Sequence, residues 1–325
     1  LKAAIYKSYG PPSVLSVQDV PQPTPKPNQC LIRIIASSVT TGDTTIRAFK
    51  KIPLLFYIPA RFMFGITKPR KQILGNQFSG IIESAGNNTS QFKTGDHVFG
   101  FTGTGFGANA QYICLPEKNI AIKPSNLTHE QAAIVPFGGI TALYFLSLAN
   151  LKPNQNILII GATGAVGSFA TQLAKHSGAT VTAVCSQSNH PFAKSLGATH
   201  TIDYQSQSLD TLNQTYDVIF DTVGKSSYPA IKHILTPTGT YLTTTFGSRE
   251  LLHMLLTKLT SKQRVICAIN PDRQQDLITL RTHIEAGHIS PFIDQTFTLG
   301  RIADAHTYVE QGHTKGAVAI TIPSS

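Results

Sequence analysis

The first third of the 325-residue chain reads as short apolar runs cut by proline and glycine. Runs at 13–20, 30–38, 80–85, 97–100 and 111–115 have the length and composition of strands. Between the first two, Pro21, Pro23, Pro25 and Pro27 remove backbone donors at every second position, which suits a surface connection and neither a helix nor a central strand. The pattern predicts a barrel-like antiparallel domain.

Beyond about residue 124 the text changes. Apolar runs at 157–160, 180–185, 199–202, 217–221 and 240–245 alternate with helical patterns at 165–176, 191–196 and 228–235, and 264–269 offers a last strand. Strands alternating with helices predict βαβ units and a parallel sheet covered on both faces. The tail returns to strand-like text at 317–322 and is expected to rejoin the first domain. The predicted class is α/β, with a Rossmann-type doubly wound parallel sheet inserted into a β-rich domain. Its expected boundaries are 1–123, 124–270 and 271–325.

Composition changes this picture little. Cys30, Cys114, Cys185 and Cys267 lie far apart and form no CxxC pair, so buried free thiols are expected rather than a disulfide framework. No apolar stretch reaches the roughly 18–20 residues of a membrane span. The N-terminal residues read as a strand, not a secretory signal, so a cytoplasmic protein is expected. Asn-x-Ser/Thr sequons at Asn87, Asn88, Asn126 and Asn213 are then chance. The formal charge of +10 is uneven. Between Asp43 and Glu83 there is no acidic residue, while Arg47, Lys50, Lys51, Arg61, Lys68, Arg70 and Lys71 are basic. Such a patch either attracts an anionic partner, such as a phosphorylated cofactor, an acyl-CoA, a membrane surface or RNA, or is simply a solvated face.

The strongest local signal is ILIIGATGAVG at 157–167, a buried strand turning into an amphipathic helix. Gly161 permits the turn, Gly164 lacks the Cβ that would block a pyrophosphate, and Gly167 lets the helix approach the sheet. The helix N-terminus offers free amides and a partial positive charge to the phosphates, and Ala162, Thr163, Ala165 and Val166 are the cradle's further cofactor-binding candidates. The spacing is GxxGxxG, weak by itself and specific between a strand and a helix. An NAD site usually carries Asp or Glu at the end of the second strand, for the ribose hydroxyl. Here that strand runs into Cys185, Ser186, Gln187, Ser188 and Asn189, with Lys194 downstream. Hydroxyl, amide and ammonium donors suit a 2′-phosphate, so NADPH is expected over NADH.

With these residues in view, the chain resembles the medium-chain dehydrogenase/reductase superfamily, in its zinc-independent quinone oxidoreductase (zeta-crystallin-like) branch. The likeness runs nearly end to end, through GNQFSG at 75–80, GDHVFG at 95–100, GGIT at 138–141, LGA at 196–198, IDY at 202–204, DVIFDTVG at 217–224 and GAVAI at 316–320. It implies a GroES-like first domain, and it places Thr141, Thr244 and Phe246 beside the nicotinamide. Tyr204 matches a tyrosine near the adenosine half, or is simply packed at a strand end. Zinc members carry a Cys in the segment matching 37–43 and a His-Glu pair after the glycine matching Gly75. This chain has SSVTTGD and Asn76-Gln77 there, and amides and hydroxyls are poor substitutes for thiolate and imidazole, so no zinc is expected.

The expected reaction is hydride transfer to a quinone or another activated carbonyl compound, which needs orientation in a dry pocket more than acid–base equipment. Thr40, Thr45 and Tyr57 are candidates to steady a developing oxyanion. Asp43 and Arg47 either pair with each other structurally or act on substrate. The apolar stretch 49–73 is either a lid over the substrate mouth or a packing or dimer contact. Rival functions are a 2-enoyl-thioester (CoA or ACP) reductase and a non-catalytic NADPH- or RNA-binding protein. A small-molecule electrophile and a homodimer are the expected partners, and nucleic acid is not. Replacing Ser186→Asp is expected to shift the NADPH/NADH preference toward NADH by at least tenfold in kcat/KM. An unchanged ratio would place the reading of the 2′-phosphate elsewhere.

Overall fold

The structure, a computed structural model, describes residues 1–323. Contacts divide the chain into two compact units, one made of residues 1–52, 56–140 and the segment from Asp272 onward, the other of 53–55 and 141–271. Residues 124–140, which the sequence pattern assigns to the nucleotide domain, thus pack with the first unit.

In the first unit, β1 (Lys2–Tyr6) and β2 (Leu15–Asp19) pair antiparallel. The main sheet comprises β3 (Gln29–Val39), β4 (Gln77–Ala85), β5 (His97–Phe101), β6 (Tyr112–Pro116) and β7 (Ile120–Ile122), joined by two C-terminal strands. β3 is the spine. One edge pairs with β4, while the other pairs first with β6 and then with the last strand of the unit. The register requires β4 to run close to β3 at Gly80, where an added Cβ would stand 2.3 Å from the Arg33 carbonyl oxygen. Phe78, Leu74, Ile32 and Ile34 fill the core beneath. Short helices α1 (Thr41–Ala48), α2 (Leu54–Phe64) and α3 (His129–Ala133) decorate this unit, except that Leu54 and Leu55, at the start of α2, count with the second. The helix α2 was not foreseen, because Pro59 interrupts its text and no polar face marks its period.

The chain passes along α4 (Val135–Ala149) into the second unit. There the strands β8 (Asn156–Ile160), β9 (Thr180–Cys185), β10 (His200–Asp203), β11 (Tyr216–Asp221), β12 (Leu235–Thr243) and β13 (Arg264–Cys267) form a parallel sheet in the order β10-β9-β8-β11-β12-β13. This is the doubly wound order, with strand order reversing at β8. Leu158, Ile219 and Tyr241 are buried between the sheet and its helices, which include α5 (Ala165–His176), α6 (His190–Ser195), α7 (Tyr228–Ile231) and α8 (Ser248–Thr260). Cys30, Cys114, Cys185 and Cys267 are free thiols, and burial pushes Cys185 up to about 11. No helix among the described residues is long and apolar enough to cross a membrane.

The chain then adds α9 (Gln274–Glu285), β14 (Ile293–Thr298), α10 (Ile302–Glu310) and β15 (Ala317–Thr321) to the first unit, with β15 docking antiparallel on β3. Helix α10 supplies the partner of Arg47. Asp43 and Arg47 do not pair with each other, one of the two readings above; Arg47, fully buried, donates through Nη2 to Glu310, and its Nε and Nη1 have no partner among the described residues. Close by, burial and then the Arg47 charge hold His306 down to about 3, so it packs as a neutral ring. A buried guanidinium with one partner is costly when that partner goes, whereas the pair as a whole is replaceable. Glu310→Ala is expected to lower stability by about 1–3 kcal/mol, discounted because Glu310 is partly solvated. Arg47→Met is expected to be neutral or stabilising. Urea unfolding of both variants checks this, and an equal loss in both would mean the buried charge is not the cause.

Candidate functional site

The cradle expected at 157–167 forms at the C-terminal end of β8. Gly161 turns with φ +77°, and its amide donates to the Val184 carbonyl at 3.0 Å, tying the turn to β9. A Cβ at Gly161 would lie 2.6 Å from Val223 Cγ1. Gly167 faces the sheet so closely that a Cβ would stand 2.1 Å from the Gly161 oxygen and 2.7 Å from Ala162 Cα. At Gly164, the N-cap of α5, a Cβ would meet nothing nearer than 3.5 Å. Gly161 and Gly167 therefore serve the chain's own packing, and Gly164 leaves open space at the helix N-terminus. The first-turn amides at Ala165, Val166 and Gly167 have no acceptor within their helix, and the dipole adds positive potential. This open, positive helix end fits a pyrophosphate.

Of the predicted residues of the second unit, Asn189 reaches the cradle through Thr163, and the others lie at neighbouring strand ends or on the flanking helices. Ala162 and Thr163 are buried under the turn, and Asn189 Nδ2 donates to Thr163 Oγ1 at 3.4 Å. Among the described residues Asn189 Oδ1 is buried without a partner, a polar atom that a bound group could satisfy. Ser186 directly follows β9 and shares a hydrogen bond with Ser188 at 3.2 Å. Lys194, on α6, is exposed, and Tyr204, just beyond β10, is 51% exposed. Thr244 follows β12 and donates to the Thr222 carbonyl at 3.2 Å. Phe246 packs against the unit's core, and Thr141 lies half-buried in α4.

Two features escaped the sequence reading. Asp221, fully buried at the end of β11, accepts from the amides of Val223 at 3.0 Å, Gly224 at 2.7 Å and Ser226 at 2.7 Å. Burial raises its pKa and these bonds lower it, the first effect being the larger. It thus shapes the loop whose Val223 lies against Gly161; its place in the DVIFDTVG text was the available signal. Asp203 pairs in register with Cys185 at the end of β9. This carboxylate lies on β10, one strand beyond the β9 end to which the sequence pattern points. Its Oδ1 accepts from the Gln205 amide at 3.1 Å, turning it into its own loop.

In the first unit, the segments 37–43 and 75–77 meet through β3 and β4. Asp43, fully buried, accepts from the Thr40 amide at 2.8 Å, the Thr40 hydroxyl at 2.7 Å and the Gly75 amide at 2.9 Å. Burial raises its pKa against these stabilising bonds. The Thr40 hydroxyl in turn accepts from the Asp43 amide and from Asn76 Nδ2, each at 3.3 Å, making Thr40 the cap of α1. Gln77 donates to Ser38 Oγ at 2.6 Å and accepts from the Phe137 amide at 2.6 Å. Ser37 donates to Asn109 Oδ1 at 2.8 Å. The hydroxyls of Ser37, Ser38 and Thr40 and both ends of the Gln77 amide are thereby engaged, while Asn76 Oδ1 and Asn109 Nδ2 are buried without a partner among the described residues. Thr45 lies one turn further along α1, half-buried. Tyr57 stands on α2, its ring edge-on to Phe49 at 5.4 Å and its oxygen accepting from Arg61 Nη2 at 3.1 Å. No bond joins Tyr57 to the Thr40 network among the described residues.

Comparison with known proteins agrees with this architecture. A family model described as an alcohol dehydrogenase GroES-like domain matches residues 26–125, and one described as a zinc-binding dehydrogenase matches 196–320. The chain is 29% identical over 333 residues to a 2-methylene-furan-3-one reductase of Solanum lycopersicum, covering 98% of this chain and 79% of that one. It is 29% identical over 338 residues to an NADPH-dependent alkenal/one oxidoreductase of Arabidopsis thaliana, with the same coverage of 98% and 79%. The quinone oxidoreductase from Coxiella burnetii superposes with a TM-score of 0.89 at 28% identity, covering 99% of both chains.

The doubly wound sheet, its glycine turn and these relatives define an oxidoreductase that uses a nicotinamide cofactor. The chain belongs to the medium-chain dehydrogenase/reductase superfamily and is a quinone-oxidoreductase-like member of it.

The two glycines predict different failures. Gly164→Asp is expected to leave thermal stability within a few degrees of wild type and to abolish nicotinamide-cofactor binding, because the carboxylate fills the open helix end. Gly167→Val is expected to destabilise the second unit outright. Fluorescence titration with thermal melting distinguishes these, and normal binding by Gly164→Asp would refute the cradle.

Proposed function

We propose that this protein is an NADPH-dependent, zinc-free reductase of quinones and enones. The observation that carries this reading is the open phosphate cradle of the second unit; within the first unit, the polar groups at 37–43 and 75–77 are largely taken up by hydrogen bonds of their own. The bound nicotinamide would supply a hydride. On the protein side, the α5 N-terminus holds the pyrophosphate, and Ser186, Asn189 and Lys194 receive the 2′-phosphate. Thr141, Thr244 and Phe246 border the nicotinamide, and Tyr204 flanks the adenosine. The NADPH named for the Arabidopsis relative supports the choice of cofactor.

The donor set supports a reaction without zinc, although one matching family model carries zinc in its description. At 37–43 and 75–77 stand hydroxyls, amides and Asp43, without a thiolate or imidazole. Gln77 is bound at both ends by Ser38 and Phe137, and Asp43 is consumed in capping α1 and holding Gly75. Zinc selects softer and freer ligands than these. Asp43 is equally unsuited to act as a base, so the substrate must accept hydride without prior deprotonation. A quinone does so, as does an enone at its β-carbon; the names of the tomato, Arabidopsis and Coxiella relatives span these acceptors.

Among the candidate hydroxyls, Thr40 gives its one proton to Asp43, whereas Tyr57 accepts from Arg61 and keeps its proton to donate. Tyr57 is therefore the stronger candidate to meet the oxyanion, with Thr45 as the alternative, and Thr40 acts by positioning. Hydride and one proton from water convert the quinone to its hydroquinone, leaving NADP⁺.

Stopped-flow oxidation of NADPH with 1,4-benzoquinone, an α,β-unsaturated ketone, crotonyl-CoA and a simple aldehyde tests this reading. The quinone and enone are expected to turn over at least a hundredfold faster than the aldehyde, unaffected by chelators. Tyr57→Phe is expected to lower kcat up to tenfold with little change in KM. Preferred turnover of crotonyl-CoA would favour a thioester reductase, and dependence on stoichiometric zinc would defeat the proposal.

A further inference from the structure

We infer that helix α2 is a docking surface for an anionic lipid bilayer. Its text, LLFYIPARFMF, contains one charged residue, yet none of its residues is fully buried. Leu54, Ile58 and Phe62 recur at four-residue spacing, with Leu55 beside them on the same arc. They are 89%, 65% and 60% exposed at the first three positions, and Met63 and Ile66 continue the apolar surface beyond.

The other side of the helix fixes it in place. Phe64 packs against Phe106 with ring centroids 5.8 Å apart, Tyr57 meets Phe49 edge-on, and the Arg61 guanidinium lies 3.7 Å from the Phe49 ring centroid. Arg61 also donates to the Ile66 carbonyl at 3.0 Å, closing the turn after the helix. The outward stripe is thus displayed by a helix held through its inner face. Singly exposed leucines are ordinary; a contiguous apolar stripe marks a surface with a partner.

The charges around the stripe identify that partner. Lys50 and Lys51 precede the helix, and Lys68, Arg70 and Lys71 follow it, all exposed and none in an ion pair among the described residues. No Asp or Glu occurs from 44 to 82. A second copy seated on this face across a two-fold axis would bring five cations against five. RNA would use the cations and leave leucine, isoleucine and phenylalanine against phosphate. An interface of lipid phosphates over acyl chains satisfies both features, with the helix lying in the plane of the headgroups. Eleven residues, about 16 Å of helix, are too short to span the membrane.

Co-sedimentation of the full chain with vesicles tests this inference without nucleotide or electron acceptor, so its outcome is independent of the hydride reading. Binding to phosphatidylcholine–phosphatidylglycerol vesicles is expected to exceed binding to phosphatidylcholine alone by at least tenfold, and to weaken as salt rises. The I58E/F62E variant, altered only at exposed positions, is expected to lose at least tenfold in vesicle binding with an unchanged melting temperature. Replacing Lys50, Lys51, Lys68, Arg70 and Lys71 by Gln is expected to remove the preference for anionic lipid. Equal binding to both vesicle types, full binding by I58E/F62E, or a wild-type dimer that I58E/F62E dissolves in light scattering would each overturn the inference.

Discussion

The contact on which the second unit depends is the one between Gly167 and Gly161. A side chain at Gly167 would collide with the Gly161 oxygen at 2.1 Å, so this helix can seat on its strand only where the Cβ is missing. That seating directs the first-turn amides of α5 at the end of β8, where the strand order reverses. Strand ends at such a reversal diverge and leave a crevice, and a helix terminus there supplies the donors a diphosphate needs. The three glycines have separate physical duties. Gly161 and Gly167 are occupied with the chain's own geometry, and Gly164 alone leaves space for a ligand.

The first unit shows the complementary economy of polar groups. At 37–43 and 75–77, Thr40, Asp43 and Asn76 bond one another, Gln77 bonds Ser38, and Ser37 bonds Asn109, so most of these polar groups are already engaged within the first unit. Their engagement has a structural reward: the α1 cap, the Gly75 turn and the β3–β4 pairing are tied together by groups that would otherwise be costly to bury. It also restricts the chemistry, since a carboxylate holding three donors is poorly placed to remove a proton. On the proposed reading, the same residue types stabilise the fold and narrow the substrates to those that already carry an electrophilic carbon.

Helix α2 follows a different logic. Its inner side is anchored by Phe49, Phe106 and the Arg61 stack, and its outer side keeps leucine, isoleucine and phenylalanine in water within a field of lysines and arginines. Folding alone gives no reason to expose those side chains, because a few polar substitutions on the outer arc would leave every inner contact intact. The basic run that read in sequence as either a partner site or a solvated face acquires meaning from the apolar stripe it flanks.

The sequence by itself determined the doubly wound sheet, the β-rich first unit and the glycine turn. Each rests on local periodicity, or on glycines whose role follows from the strand and helix beside them. It also determined which ligand types were missing from 37–43 and 75–77, since composition needs no coordinates. Tertiary structure decided what depended on partners distant along the chain. Arg47 chose Glu310, 263 residues away, over the nearby Asp43, because α10 packs on α1 while Asp43 is occupied by Thr40 and Gly75. Asp203 came level with Cys185 through strand pairing, and Asp221 became the organiser of the loop against Gly161. Only the folded chain showed that Thr40's proton was spent, that Tyr57's was not, and that one side of α2 met the core while the other met solvent. Periodicity reports which face is apolar; what covers that face is settled by packing between segments far apart in sequence.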